Sequence, residues 1–154
     1  MKIRSILLPT DFSECASYAL SYASGFARDA GASIICVHVI EPVVPTVGYS
    51  GVTEPLPMAD ISDQLETSAT RELPKIAQHE ECAGLSVEEV IVHGDAASEI
   101  VRVARERKVD LIVIASHGRT GLGRILFGST AEQVVRHAPC PVLVVKPPQE
   151  ESSQ

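Results

Sequence analysis

Ile3-Arg4-Ser5-Ile6-Leu7-Leu8-Pro9-Thr10-Asp11-Phe12-Ser13 opens the chain with a short apolar run, a proline and a serine suited to start a helix. The run Ile3 to Leu8 is too short for a helix, and its consecutive apolar residues suit a strand buried on both faces. Ser13 then caps a segment in which Ala16, Ala19, Leu20, Ala23, Phe26, Ala27 and Ala30 recur every three or four places, and Gly31 supplies a stop. This spacing predicts a helix over 14–30. A second buried strand, 34–40, completes a βαβ unit.

The alternation continues outward from that unit. Residues 41–59 hold Pro42, Pro45, Pro55 and Pro57 with Gly48 and Gly51, and read as a mobile excursion. Helical spacing returns over 61–82 through Ile61, Leu65, Ala69, Leu73 and Ile76, with Pro74 expected to kink or split the helix. A strand over 87–92 precedes a helix that starts near Asp95, turns Ile100, Val103 and Ala104 inward and ends with Arg105, Arg107 and Lys108, where its dipole favours cations. Leu111 to Ala115 is a fourth strand. Ser129 and Glu132 have the spacing of a capping box for a helix reaching His137, and Pro141 to Val145 is a fifth strand. The expectation is an α/β fold: one doubly wound, Rossmann-like domain over 1–146, a five-stranded parallel sheet in the order 3-2-1-4-5 with helices on both faces. Residues 147–154 read as a disordered tail.

Composition narrows the function. The 154 residues carry 13 Lys+Arg against 20 Asp+Glu, a formal charge of −7, so nucleic-acid backbones and anionic membranes are disfavoured as partners. Trp is absent and aromatics make up 4%, which removes the stacking platforms of single-strand binders. No apolar run reaches a membrane span, and the N-terminal stretch lacks the features of a signal peptide, so a soluble cytoplasmic protein is expected. Cys15, Cys36, Cys82 and Cys140 form no CxxC pair and read as reduced, mostly buried thiols, and His38, His79, His93 and His137 share no metal-ligand spacing.

In the order 3-2-1-4-5 the first and fourth strands are neighbours at the point where strand order reverses, and ligands bind beyond the strands' carboxyl ends there. The loop Pro9-Thr10-Asp11-Phe12-Ser13 and the loop 116–129 would face each other across that crevice. The second holds Gly118, Gly121, Gly123 and Gly128, four of the chain's 10 glycines. No Asp or Glu lies between Leu111 and Ala131, whereas His117, Arg119 and Arg124 do, so this stretch suits an anion. Gly128-Ser129 at a helix start brings together unpaired N–H groups, a dipole's positive end and a hydroxyl, as phosphate sites do. The alternative is that the glycines merely turn a strand into a helix. Asp11 can accept bonds from sugar hydroxyls, or can serve the start of the first helix.

The run Ala115-Ser116-His117-Gly118, nine residues, then Gly128-Ser129, with Ala138-Pro139-Cys140-Pro141-Val142-Leu143-Val144-Val145 at the end, resembles the universal stress protein family. Leu8-Pro9-Thr10-Asp11-Phe12-Ser13 and Val37-His38-Val39-Ile40 match it too. The likeness covers the chain apart from 41–59 and the tail. It implies that Gly118, Gly128, Ser129 and Thr130 hold the triphosphate of ATP, or the diphosphate of ADP, with magnesium bridging the phosphates. Pro9, Thr10 and Asp11 would sit by the ribose or base, Val39 would offer backbone groups to adenine, and His117 and Arg119 would lie inside the motif. Ala115 stands where the family's nucleotide-binding branch has its first glycine. The resemblance further implies a homodimer through the last strand, Val142–Val145, in a stress-response adaptor that binds ATP and hydrolyses it slowly at most.

No GxxxxGK[ST] loop and no nucleophile with an adjacent base can be read, so no catalytic residue is assigned. A nucleotide-free dimeric adaptor and a slow ATPase are the competing readings. The downstream partner is not written in the sequence.

Overall fold

The computed structural model describes residues 1–44, 57–118 and 127–148. Its elements are β1 (Ser5–Pro9), α1 (Glu14–Ala30), β2 (Ser33–Ile40), α2 (Met58–Ala77), a 3-10 turn (Glu80–Cys82), β3 (Val87–His93), α3 (Ala96–Glu106), β4 (Leu111–Ala115), α4 (Ser129–His137) and β5 (Val142–Val145). The five strands form one sheet in the order β3-β2-β1-β4-β5, with every neighbouring pair parallel.

Strand residues alternate between two cores. Ile6, Leu8, Ile34, Cys36 and Val113 pack under α1 and α2 with Ala19, Leu20, Ala23 and Leu73. Leu7, Ile35, Val37, Ile112 and Ile114 pack on the other face with Ile100, Val103 and Val134 of α3 and α4. Both faces being covered is why the central strands read as unbroken apolar runs. The edge strand β3 departs from that pattern, because Glu88 and Glu89 stand exposed on it and Glu88 pairs with Arg107 at 2.7 Å.

Helix α1 begins and ends where its residues dictate. The Ser13 hydroxyl accepts from the Ala16 N–H at 3.2 Å, and Gly31 closes the helix in the left-handed conformation at φ 65°. Four sequence expectations need correction. β1 starts at Ser5 and continues through Pro9, since the missing proline N–H faces away from the bond that Thr10 donates to Val37 at 2.9 Å. α2 starts at Met58, inside the stretch read as an excursion, with Pro57 at its N-cap. Pro74 does not split α2, which runs on to Ala77, and Glu80–Cys82 is a separate turn. Ser129 is the first helical residue of α4 rather than its cap; Gly128 holds the cap position, and Glu132 pairs with Arg136 at 2.8 Å instead of reaching back. The mobility read for 45–56 and the disorder read for 149–154 lie outside the described residues.

All four cysteines are free. Cys36 and Cys82 are buried, and burial pushes the Cys36 thiol up to about 12, so it stays protonated at neutral pH. Among the described residues no helix is long and apolar enough to cross a membrane, and no group of three or more His, Cys, Asp or Glu is placed to hold a metal.

Candidate functional site

Beyond the carboxyl ends of β1, β2 and β4 lies a cleft of about 470 Å³, within the range of small-molecule sites. Pro9, Thr10, Asp11, Val39, Ala115, His117, Gly118, Gly128, Ser129 and Thr130 all line it. Arg119, Arg124, Gly121 and Gly123 fall outside the described residues. The fold therefore assembles the two loops that the strand order places side by side.

The β4 loop is closed at its base. Ser116 is fully buried; its N–H donates to the Val145 carbonyl at 2.8 Å, and its own carbonyl accepts from the Gly128 N–H at 2.7 Å. A Cβ at Gly128 would lie 3.3 Å from that carbonyl oxygen and 3.7 Å from the His117 Cα, so the glycine permits a close backbone approach. The His117 Nδ1 and Ser116 Oγ are hydrogen-bonded at 2.9 Å. Gly118 faces the other loop, where a Cβ would come within 2.6 Å of the Asp11 Oδ2. Asp11 Oδ1 accepts from the Ser13 N–H at 3.0 Å. Asp11 thus serves the start of α1 with one oxygen and faces the β4 loop with the other.

Val39 owes its place to the end of strand pairing. β1 and β2 pair as far as Pro9 and Val37, after which the chain turns into α1. Along a parallel ladder, residues two apart direct their N–H and carbonyl to the same side, so those of Val39 point past the end of β1 into the cleft. The opposite side of β2 is taken up by β3, where the Gly94 N–H donates to Ile40 at 3.1 Å. Ala115 ends β4 opposite Val145, with no left-handed backbone.

Three helices present N-termini to this cleft, through Ala16 of α1, Ala96 of α3 and Ser129 of α4. α1 is capped by Ser13. α3 is capped twice: Asp95 accepts from the Ser98 N–H at 3.0 Å, and Glu41, at the end of β2, accepts from the Ala96 N–H at 3.0 Å. Hydrogen bonds from Ser98 hold the Asp95 carboxyl below its ordinary range, keeping it charged. α4 has no side-chain cap. The cleft is consequently negative beside α3 and open to an anion beside α4.

Sequence reasoning missed several wall residues. Phe12 and His38 stack with ring centroids 4.4 Å apart, and Leu65, Ser68 and Ala69 bring α2 over the cleft. Pro57 directly before Met58 was the available signal for where α2 begins.

A sequence profile described as the universal stress protein family matches residues 2–146. The chain belongs to the universal stress protein family. Among curated relatives, Universal stress protein MJ0531 of Methanocaldococcus jannaschii is 37% identical over 148 residues, covering 96% of this chain and 85% of that one. The solved structure of MJ0577 from the same organism, described there as a hypothetical protein, superposes with a TM-score of 0.81 at 34% identity, covering 97% of this chain and 100% of that one. A universal stress protein from Archaeoglobus fulgidus, solved in complex with dAMP, gives a TM-score of 0.60 at 27% identity, with coverage of 94% and 98%. The family thus includes a nucleotide-bound member of the same fold.

Proposed function

We propose that this universal stress protein is an ATP-binding regulatory module, homodimeric through β5 and working in the cytoplasm, that holds the nucleotide between the β1 and β4 loops. The observation that carries the reading is the uncapped N-terminus of α4, set in a cleft whose other two helix starts are closed by the chain's own side chains. Phosphates would lie against Gly118, Gly128, Ser129 and Thr130, with His117 and Arg119 beside them. The nucleoside would run toward Pro9, Thr10, Asp11 and Val39, whose N–H and carbonyl match an acceptor and a donor on an adenine edge. Relatives support a nucleotide, since the Archaeoglobus fulgidus protein is solved with dAMP. Magnesium would arrive on the phosphates, beside the hydroxyls of Ser129 and Thr130 at the cleft.

Ligand released from freshly purified protein, identified by mass spectrometry and followed by titration with ATP, ADP and GTP, tests the reading. ATP or ADP is expected. No binding up to millimolar ATP would reject it in favour of a nucleotide-free adaptor.

Two substitutions probe the walls. Because Ala115 has an ordinary strand backbone, glycine there gains no conformational relief, and its methyl simply lies at the cleft edge. Ala115→Gly is expected to bind ATP as well as or modestly tighter than the parent, and Ala115→Val about tenfold more weakly or worse, by calorimetry. Equal binding by the valine variant would remove residue 115 from the site. Gly118→Ala would push a Cβ onto the Asp11 carboxylate, which can swing away at little cost to folding but not without leaving its place. Affinity should drop by about tenfold while the melting temperature moves by no more than a few degrees; unchanged affinity would mean that Asp11 does not touch the nucleotide.

A further inference from the structure

Phe12 has a left-handed backbone at φ 63°, a conformation that costs a bulky L-residue free energy and persists only where its surroundings enforce it. Three contacts enforce it here. The Thr10 hydroxyl accepts from the Phe12 N–H at 3.1 Å. The His38 Nδ1 lies 2.8 Å from the Thr10 carbonyl, which can only accept, so this nitrogen carries the proton. The His38 ring in turn stacks on the Phe12 ring at 4.4 Å with 30° between planes. Thr10, Phe12 and His38 therefore close a ring of mutual constraints around a single turn. Asp11 sits inside that turn, with Oδ1 on the Ser13 N–H and Oδ2 at the Gly118 backbone.

We infer that Phe12 and His38 form a positioning pair: the stacked rings hold the strained turn, and the turn holds the Asp11 carboxylate where it faces the β4 loop and the ligand. The inference rests on the nucleotide site proposed above. It gives His38, which lines the cleft, a role through the turn, acting from β2 on a loop that follows β1. Protonation of the imidazole keeps the Nδ1 donor, so the pair holds in both charge states.

Two readings test it, one of them free of ligand. In the apo protein, amide hydrogen exchange at Phe12 and Ser13 should rise about tenfold in His38→Gln and in Phe12→Leu, as the turn loosens. By calorimetry, each single variant should bind ATP about tenfold more weakly, and the double variant no more than slightly worse than the weaker single, because both break one device. Phe12→Tyr, which retains the ring, should match the parent in both. Should His38→Gln fail to fold, Phe12→Leu against Phe12→Tyr carries the comparison. Unchanged exchange, unchanged affinity in a parent that binds, or losses that simply multiply in the double variant would each overturn the inference. A parent that binds neither ATP nor ADP rejects the nucleotide site, and the exchange measurement then decides by itself whether the pair holds the turn.

Discussion

The Gly128→Asp protein is expected to bind ATP about a hundredfold more weakly than the parent, a loss of about 2.8 kcal/mol. Charge and space act together in this. The new carboxylate would stand at the N-cap of α4, where the proposed phosphates lie, and unit charges 4 Å apart repel by about 4 kcal/mol at an effective dielectric constant of ~20. Its Cβ would also press on the Ser116 carbonyl, 3.3 Å away. Folding should survive, because aspartate is a favourable cap for a helix that lacks one. Calorimetry and a melting curve on the same sample separate the two effects. Gly128→Ala, sharing the crowding but not the charge, should lose far less. Undiminished affinity in the aspartate variant would place the nucleotide elsewhere.

The Val144→Lys protein is expected to run as a monomer in light scattering at micromolar concentration, and the parent, on the proposed pairing through β5, as a dimer. The two outer strands of the sheet differ in a way that motivates this. β3 carries exposed Glu88 and Glu89, charges that discourage pairing with another chain. β5 is Val142-Leu143-Val144-Val145 without a charge, its first three residues are half-buried, and exposed Val135 and Phe127 lie on the neighbouring α4 and just before it. An unguarded apolar edge of this kind seeks a copy of itself across a two-fold axis. A lysine there would bring two like charges together across that axis, and a melting curve would verify that the monomer remains folded. A dimer undisturbed by the substitution, or a monomeric parent, would count against pairing through β5.

The fold was legible because its signals are local. Ser13 and Gly31 bracket α1, Asp95 starts α3, and consecutive apolar residues in β1, β2 and β4 announce burial on two faces. The order 3-2-1-4-5 came from the doubly wound βαβ alternation, and it set the two unusual loops side by side. Where the reading slipped, competing local patterns were equally satisfied: Ser129 and Glu132 keep the spacing of a capping box, yet Gly128 can hold the cap position with no side chain to declare it. The cleft-lining positions drawn from the family pattern lie together wherever they are described. The Phe12–His38 stack was not legible, because it depends on the register that sets Pro9 beside Val37 and on a backbone conformation that sequence does not associate with phenylalanine. Leu65 and Ser68 were hidden for the same reason, since their helical spacing says which side is apolar but not which cleft it overhangs.

The backbone of Ser116 has a consequence for how α4 is fastened to the sheet. Its N–H is spent on the Val145 carbonyl and its carbonyl on the Gly128 N–H, so one fully buried residue joins the ends of β4 and β5 to the start of α4. A buried backbone group left without its partner costs about 1–3 kcal/mol. Pulling the start of α4 away from β4 would therefore leave a buried carbonyl unpaired, and because the tie is made by main chain alone, replacing the Ser116 side chain leaves it in place.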